Sequence, residues 1–163
     1  MRLCAICAGQ GKSCCVCRDI LVSDGDLQRI AAHTGSWDFF ETRLPQTVAY
    51  LDQDDDPNWN NYTLQLNGTR RVLKYTRPGI CCFLTDTGCL LPEHIRPLVC
   101  RLHPMEFNEA RLTGLSPECP AEHLPEGESV LANLEMNVDL AENWRQQLYT
   151  ELRGSHQLRP KAA

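Results

Sequence analysis

The stretch "CAICAGQGKSCCVC", residues 4–17, holds five of the chain's ten cysteines within fourteen positions. A second group runs from Cys81 to Cys100, Cys119 stands alone, and none lies between Cys17 and Cys81. These cysteines lie beside Gly, Pro and Ser and follow neither a helix period nor a strand period. Core filling therefore does not account for them, and the pattern indicates thiols that act together.

Length and composition narrow the class of protein. A chain of 163 residues fits one domain and buries a core without covalent help, whereas disulfide frameworks are typical of short secreted domains. The start "MRLCAICAGQGK" is too polar for a signal peptide, so we expect a cytoplasmic protein with reduced thiols. No stretch reaches the roughly 20 apolar residues of a membrane span. The net charge of -5, without a basic patch, argues against a nucleic-acid partner.

Local signals predict a small single α+β domain over residues 1–153, with irregular cysteine-rich loops, one or two β-hairpins and C-terminal helices. The Gly-rich block 4–17 is predicted to be a loop. A helix is predicted to begin after Ser23 or Asp24 and to end at Gly35.

The middle of the chain carries two turn signals. Asn67-Gly68 is the preferred pair for a two-residue turn, and it predicts a hairpin between residues 62–66 and 71–75. A second pair of short strands is predicted around Asp86-Thr87-Gly88.

Helical patterns dominate the C-terminal part. A broken helical turn is predicted to carry Cys100. Residues 130–134 and 140–152 show helical spacing, since Leu140, Trp144 and Leu148 recur every four residues. Residues 154–163 are predicted to be a flexible tail.

Several cysteine spacings favour metal ligation, with disulfides and metal-free thiol redox chemistry as alternatives. Cys4-x2-Cys7 lets two thiolates face one ion. Adjacent side chains diverge, so Cys14 and Cys15 are expected to serve different metal ions, or one of them a metal site and the other the core. The spacing Cys81-x7-Cys89 brackets the second predicted turn, which brings thiols from both strands to one end.

The metal is not decided by these spacings. All-thiolate sites suit zinc and iron–sulfur clusters equally, so the cofactor is expected to be zinc or iron, either mononuclear or in a cluster. His103, three residues after Cys100, either reaches the same site or serves as a surface or hydrogen-bonding residue. Arg96 and Arg101 flank Cys100, where they either offset thiolate charge or act as buried anchors paired with acidic residues.

The order of the motifs resembles the YkgJ-type cysteine-cluster family, which is described as zinc- or iron-chelating and is known by a CxxCxxCC motif. The resemblance runs from Cys4 to Cys119 through "CAICAGQGKSCC", "DLQRIAAHTG", "CCFLTDTGC", "RPLVCRLHP" and "ECP". Six residues separate Cys7 from Cys14 here, where the motif has two. Carried over position by position, the resemblance implies eight metal ligands. These are Cys4, Cys7, Cys14, Cys15, Cys81, Cys89, Cys100 and Cys119. Cys17 and Cys82 fall outside the pattern.

The sequence therefore predicts a metal-binding protein that chelates zinc or iron through clustered thiolates, with a metal ion as its one predicted partner. Two alternatives stay open. One is a metal-dependent or iron–sulfur enzyme that carries out redox chemistry or modifies proteins, and the other is a metal-stabilised interaction module. No residue is assigned a catalytic role, and a protein partner is left undetermined.

Overall fold

The computed structural model describes residues 3–11, 14–46, 55–119 and 121–157. Helices are combined with short antiparallel strand pairs, which confirms the predicted small single-domain α+β class. The α-helices are α1 (Leu3–Gly9), α2 (Asp24–Thr34), α3 (Trp59–Thr63), α4 (Leu98–Leu102), α5 (Val130–Asn133) and α6 (Val138–Gln157). The strands are β1 (Phe40–Arg43), β2 (Arg70–Leu73), β3 (Tyr75–Arg77), β4 (Ile80–Cys81), β5 (Leu84–Thr85), β6 (Gly88–Cys89), β7 (Met105–Phe107) and β8 (Leu112–Leu115). In the described part of the chain, 3-10 turns cover Glu93–Ile95 and Ala121–His123.

Helix α2 follows its local sequence signals, and its prediction is confirmed. Ser23 Oγ accepts a hydrogen bond from the Asp26 amide, and Asp26 Oδ2 accepts one from the Ser23 amide, both at 3.0 Å. This reciprocal pair is a capping box, which satisfies amides that a helix start otherwise leaves without partners. At the other end Gly35 takes a left-handed backbone with φ 69°, the conformation that glycine adopts without a Cβ penalty.

The predicted hairpin at Asn67-Gly68 is wrong. The pair does form a turn, with the Gly68 amide donating to the Gln65 carbonyl at 2.9 Å. However, β2 pairs with β1, and residues 59–63 form helix α3. The reason is tertiary, because the ring of Tyr62 packs against Tyr149 of α6 with 6.5 Å between centroids. Burial of aromatic side chains against a helix outweighs their preference for strands.

The prediction for residues 4–17 is also wrong in its first half, which forms helix α1. Leu3 and Cys7 are both buried, and residues four apart lie on the same face of a helix. A buried face needs a neighbouring element to pack against, and α1 packs against β6. The second predicted strand pair is confirmed as the β5–β6 hairpin, in which Leu84 lies opposite Cys89.

Two hydrophobic clusters divide the interior. The helical cluster surrounds α6 and includes Leu98, Leu102, Leu148 and Leu152. The strand-side cluster lies between α2 and the strand pairs and includes Ile20, Val22, Leu27, Ile30 and Cys81, with Cys15, Cys82, Cys89 and Cys100 packed against it. The site thiols thus lie at one edge of a packed core.

The C-terminal helices are confirmed at α5 and α6. Helix α6 continues to Gln157, so residues 154–157 of the predicted tail are helical, and the Ser155 hydroxyl donates to the carboxylate of Asp24. Residues 158–163 lie outside the described ranges. Among the helices of the described residues, none has both the length and the apolar character that a bilayer crossing requires.

Candidate metal centre

All ten cysteines lie within the described residues, and all are free thiols. Eight of them line one cavity of about 490 Å³. The lining cysteines are Cys4, Cys7, Cys14, Cys15, Cys81, Cys89, Cys100 and Cys119. These are the same eight that the family resemblance implies as ligands, whereas Cys17 and Cys82 are not among the residues that line the cavity.

The N-terminal thiols are carried to the cavity by helix α1. Cys4 and Cys7 are three positions apart in the sequence, which places them on neighbouring positions of one helix face. The helix lies on β6, and the approach is close at Gly88, where an added Cβ would be 3.9 Å from Ala5 Cα. Contact with the β5–β6 hairpin therefore holds α1, and with it Cys4 and Cys7, in place.

The adjacent pair Cys14-Cys15 is held by backbone pairing with β4. The Cys81 amide donates to the Cys15 carbonyl at 3.2 Å, and Val16 forms an antiparallel bridge with Ile80. Cys17 follows with a positive φ of 56°, and its amide donates to the Gly79 carbonyl at 2.6 Å. Cys17 thus has a position in a tight turn, outside the cavity.

At two of the cavity thiols, Cys89 and Cys81, a nearby backbone amide opposes the rise in pKa. Burial raises the pKa of Cys89, while the amide of Leu91 and the charge of Arg96 oppose that rise. A hydrogen bond with Cys82 and burial raise the pKa of Cys81, and the amide of Phe83 opposes the rise. In both cases the donor is two residues after the cysteine. Such N–H donors stabilise thiolates and tune bound metals.

Four thiols form what we call the inner group. Its members are Cys15, Cys81, Cys89 and Cys100. Burial raises the pKa of Cys100 well above the ordinary value, and the charges of Cys15 and Cys89 add to that rise. Neighbouring thiolates repel one another, so each keeps its proton unless a cation compensates the charge. The thiols of the inner group therefore stay protonated unless a bound cation stabilises their thiolate forms.

Three further thiols form what we call the outer group. Its members are Cys4, Cys7 and Cys119. Burial raises the pKa of Cys119 to about 11, and the charges of Cys4 and Cys7 contribute to that rise. Cys14 lies between the groups. Its hydrogen bond with Cys15 and its burial raise its pKa, and the charges of Cys100 and Cys4 raise it further.

His103 belongs with the outer group rather than with Cys100. Its Nε2 atom is 3.5 Å from Cys119 Sγ. Because α4 ends at Leu102 and His103 takes an extended backbone (φ -60°, ψ 131°), its ring leaves the helix in a different direction from Cys100. Burial and the charge of Arg18 lower the pKa of His103, although the charge of Glu118 opposes this effect. The spacing Cys100-x2-His103 did not predict this contact.

The two arginines that flank Cys100 in the sequence, Arg96 and Arg101, have different surroundings. Arg96 lines the cavity, and its guanidinium charge lowers the pKa of Cys89. The Nε atom of Arg101 donates to the Arg96 carbonyl at 2.8 Å, and its side chain is buried. Arg96 is therefore placed to offset thiolate charge, whereas Arg101 holds the backbone of Arg96 in position.

The donor side chains around the cavity are not gathered closely around one point. Within the described parts of the chain, no three or more His, Cys, Asp or Glu side chains form a group that could hold a metal ion as it stands. The donor set fits zinc or iron in chemical kind and in number. Metal binding would require the thiols around the cavity to rotate toward a common centre.

In comparisons with known proteins, no family model, no curated protein and no solved structure matches the chain. The resemblance to the YkgJ-type family therefore stays a prediction from the cysteine pattern.

Proposed function

We propose that the protein binds zinc or iron through the eight cavity thiols. One observation carries the proposal. Cysteines from five separated segments, residues 4–7, 14–15, 81–89, 100 and 119, line a single cavity, and the two cysteines outside the pattern do not. Apolar packing alone gives no reason for this selection, because Cys82 packs against the same cluster as Cys15 and Cys89.

The electrostatics of the cavity support a cation as the ligand. Hydrogen bonds with the adjacent cysteine and burial raise the pKa of Cys14 and Cys81, and burial together with the charges of nearby thiols raises the pKa of Cys89 and Cys100. Ordinary thiols in such surroundings stay neutral. A bound zinc ion or iron–sulfur centre would supply the positive charge that stabilises the thiolates, and would cross-link the five segments. The amides of Phe83 and Leu91 would then stabilise the thiolates of Cys81 and Cys89.

The test is metal analysis of the full chain purified without oxygen, with an absorption spectrum and an assay for acid-labile sulfide. Cys15→Ser removes a thiol of the inner group, and Cys17→Ser is its matched control, two residues away and outside the cavity. We expect the wild type and Cys17→Ser to carry equal amounts of metal and Cys15→Ser to carry less. Folded wild-type protein free of zinc and iron would contradict the proposal.

A second candidate is a metal-dependent or iron–sulfur enzyme, and the size of the cavity favours it. The cavity extends from the thiols to Trp59, Arg70 and Glu106. Its volume of about 490 Å³ falls within the roughly 300–1,000 Å³ of small-molecule pockets. The buried Nε1 atom of Trp59 has no hydrogen-bond partner among the described residues, so it is available to a polar ligand. A visible chromophore that bleaches on reduction supports this candidate, whereas colourless protein saturated with zinc contradicts its redox form.

A further inference from the structure

We propose that residues 116–119, which we call the strap, close the cavity toward the solvent, and that the ion pair of Arg18 and Glu118 latches the strap. The latch then controls how fast a metal ion enters and leaves. The inference rests on the proposed function and deepens it, because it assigns a mode of regulation to the same cavity. Arg18 and Glu118 position the strap and are not counted among the metal ligands.

The strap forms a wall of the cavity that also faces the solvent. Ser116, Glu118 and Cys119 all line the cavity. Glu118 is exposed, and Ser116 and Cys119 are half-buried, so the segment has the cavity on one side and water on the other. By contrast, Leu73 and Leu91 line the cavity from within the strand-side cluster. A packed core offers no path to an ion, so the strap side is the route of entry.

The backbone of the strap is anchored at its first residue. Strand β8 ends at Leu115, and the next amide, that of Ser116, donates to the Pro104 carbonyl at 2.7 Å. The amide of Glu118 donates to Ser116 Oγ at 3.4 Å, within the strap itself. Among the described residues, no backbone hydrogen bond joins residues 117–119 to another part of the chain. The far end of the strap therefore depends on side-chain contacts for its position.

Side-chain contacts hold that far end. Glu118 forms an ion pair with Arg18, and Cys119 Sγ lies 3.5 Å from His103 Nε2. Arg18 belongs to residues 14–18, the segment that carries the adjacent pair of cavity thiols, and its side chain lines the cavity as well. The ion pair therefore joins two separated parts of the chain across the side on which the cavity meets the solvent.

The exposure of the ion pair makes it a weak and reversible latch. The side chain of Arg18 is 39% exposed and that of Glu118 is 48% exposed. Exposed ion pairs contribute little free energy and are screened by salt, so this pair opens without disruption of the core. It also contains no sulfur, and its removal leaves all eight cavity thiols in the chain. The latch can therefore be changed separately from the proposed ligands.

The test measures how fast the full chain, loaded with zinc, releases the ion to an excess of a chelator. Arg18→Gln breaks the latch, and Arg18→Glu combined with Glu118→Arg restores it with the charges exchanged. Lys74→Gln is the matched control, because Lys74 and Asp38 form an exposed ion pair that does not line the cavity. We expect release to be about twofold to fivefold faster in Arg18→Gln, the size expected for one exposed ion pair. The exchanged pair and the control should match the wild type.

Salt provides a readout that a general change in the fold would not move. Screening lengths fall from about 30 Å at 0.01 M salt to about 3 Å at 1 M, so high salt weakens the latch of the wild type. Arg18→Gln has no latch to weaken. The ratio of its release rate to that of the wild type should therefore fall toward one as salt is added, and Lys74→Gln should follow the wild type at every concentration.

A second readout does not need the metal. N-ethylmaleimide, an uncharged thiol reagent, should modify Cys15 faster in metal-free Arg18→Gln than in the metal-free wild type. The exposed Cys17, outside the cavity, should react equally in both. The inference is overturned if Arg18→Gln releases zinc at the wild-type rate, if Lys74→Gln accelerates release equally, or if the exchanged pair stays fast. Wild-type protein that binds neither zinc nor iron overturns the proposed function, and the thiol rates then still decide whether the latch closes the cavity, so the two failures are distinguishable.

Discussion

Asp26 Oδ1 accepts a hydrogen bond from the backbone amide of Leu98 at 3.0 Å, across 72 residues of chain. The same carboxylate closes the capping box of α2 and forms an ion pair with Arg29 at 2.6 Å. Leu98 is the first residue of α4, and Cys100 lies two residues further along that helix. The capping residue of one helix thus fixes the start of another, and through it the position of an inner thiol.

Asp26→Asn is expected to lower the free energy of unfolding. Asparagine keeps the size of the side chain but has only one acceptor oxygen, so a buried amide of Ser23 or Leu98 loses its partner, and the ion pair with Arg29 is lost too. Leaving a buried donor unsatisfied costs about 1–3 kcal/mol. Urea unfolding should show a lower midpoint with an unchanged slope. The exposed Asp86→Asn is the matched control, and equal midpoints for the two variants would contradict the role of Asp26.

Removal of the metal is expected to destabilise the fold. Any ligand that binds only the folded state adds stability by mass action, about 4 kcal/mol at a thousandfold excess over its dissociation constant. A strong chelator should therefore lower the midpoint of thermal unfolding, and added zinc or iron should restore it. Hydrogen exchange should rise at α1, because this helix carries two of the cavity thiols, Cys4 and Cys7. An unchanged midpoint after complete removal of the metal would show that the cavity thiols do not contribute to folding.

The pair of Glu142 and Arg145 predicts a stability difference that depends on pH. Hydrogen bonding from Arg145, with the Nε–Oε2 contact at 2.9 Å, lowers the pKa of Glu142 from 4.5 to about 2. Because the pKa is depressed in the folded state, the stabilisation is complete above pH 4.5 and is lost as the pH falls toward 2. The carboxylate is one third exposed, so solvent screening limits the contribution to below about 1 kcal/mol.

Glu142→Gln tests this pH dependence. The variant should unfold at a lower temperature than the wild type at neutral pH, and the two curves should converge as the solution is acidified through that interval. Glu126→Gln, at an exposed position, is the control. A difference between the wild type and Glu142→Gln that is constant across the interval would argue against the ion pair as its source.

Two glycine substitutions are expected to act in opposite directions. Gly79 has a φ of +77°, and a Cβ there would lie 2.8 Å from Cys17 Sγ and 3.4 Å from Cys17 N. Gly79→Ala should lower the free energy of unfolding by more than about 1 kcal/mol and should loosen the pairing of residues 15 and 81.

Gly154 lies in α6 with no heavy atom within 4 Å of an added Cβ, so Gly154→Ala should stabilise the helix by roughly 0.5–1 kcal/mol. Chemical denaturation measures both effects, and destabilisation by Gly154→Ala would contradict this account of α6.

Local chemistry determined several elements of this protein directly from the sequence. Ser23 and Gly35 bound α2 because a hydroxyl at the helix start and a left-handed glycine at its end act within a few residues. The β5–β6 turn and the four-residue period of α6 are local in the same sense. The eight cysteines that the resemblance to a cysteine-cluster family implies as ligands all line the cavity.

Contacts between distant residues decided the rest. Residues 62–66 were predicted to form a strand, yet Tyr62 lies in a helix because its ring packs on Tyr149, 87 positions away. His103 is paired with Cys119 rather than with Cys100 because α4 ends at Leu102. The sequence thus predicted which residues could act as ligands. Which of them come together depends on where helix ends and strand pairs place each side chain in space, and only the tertiary structure decides that.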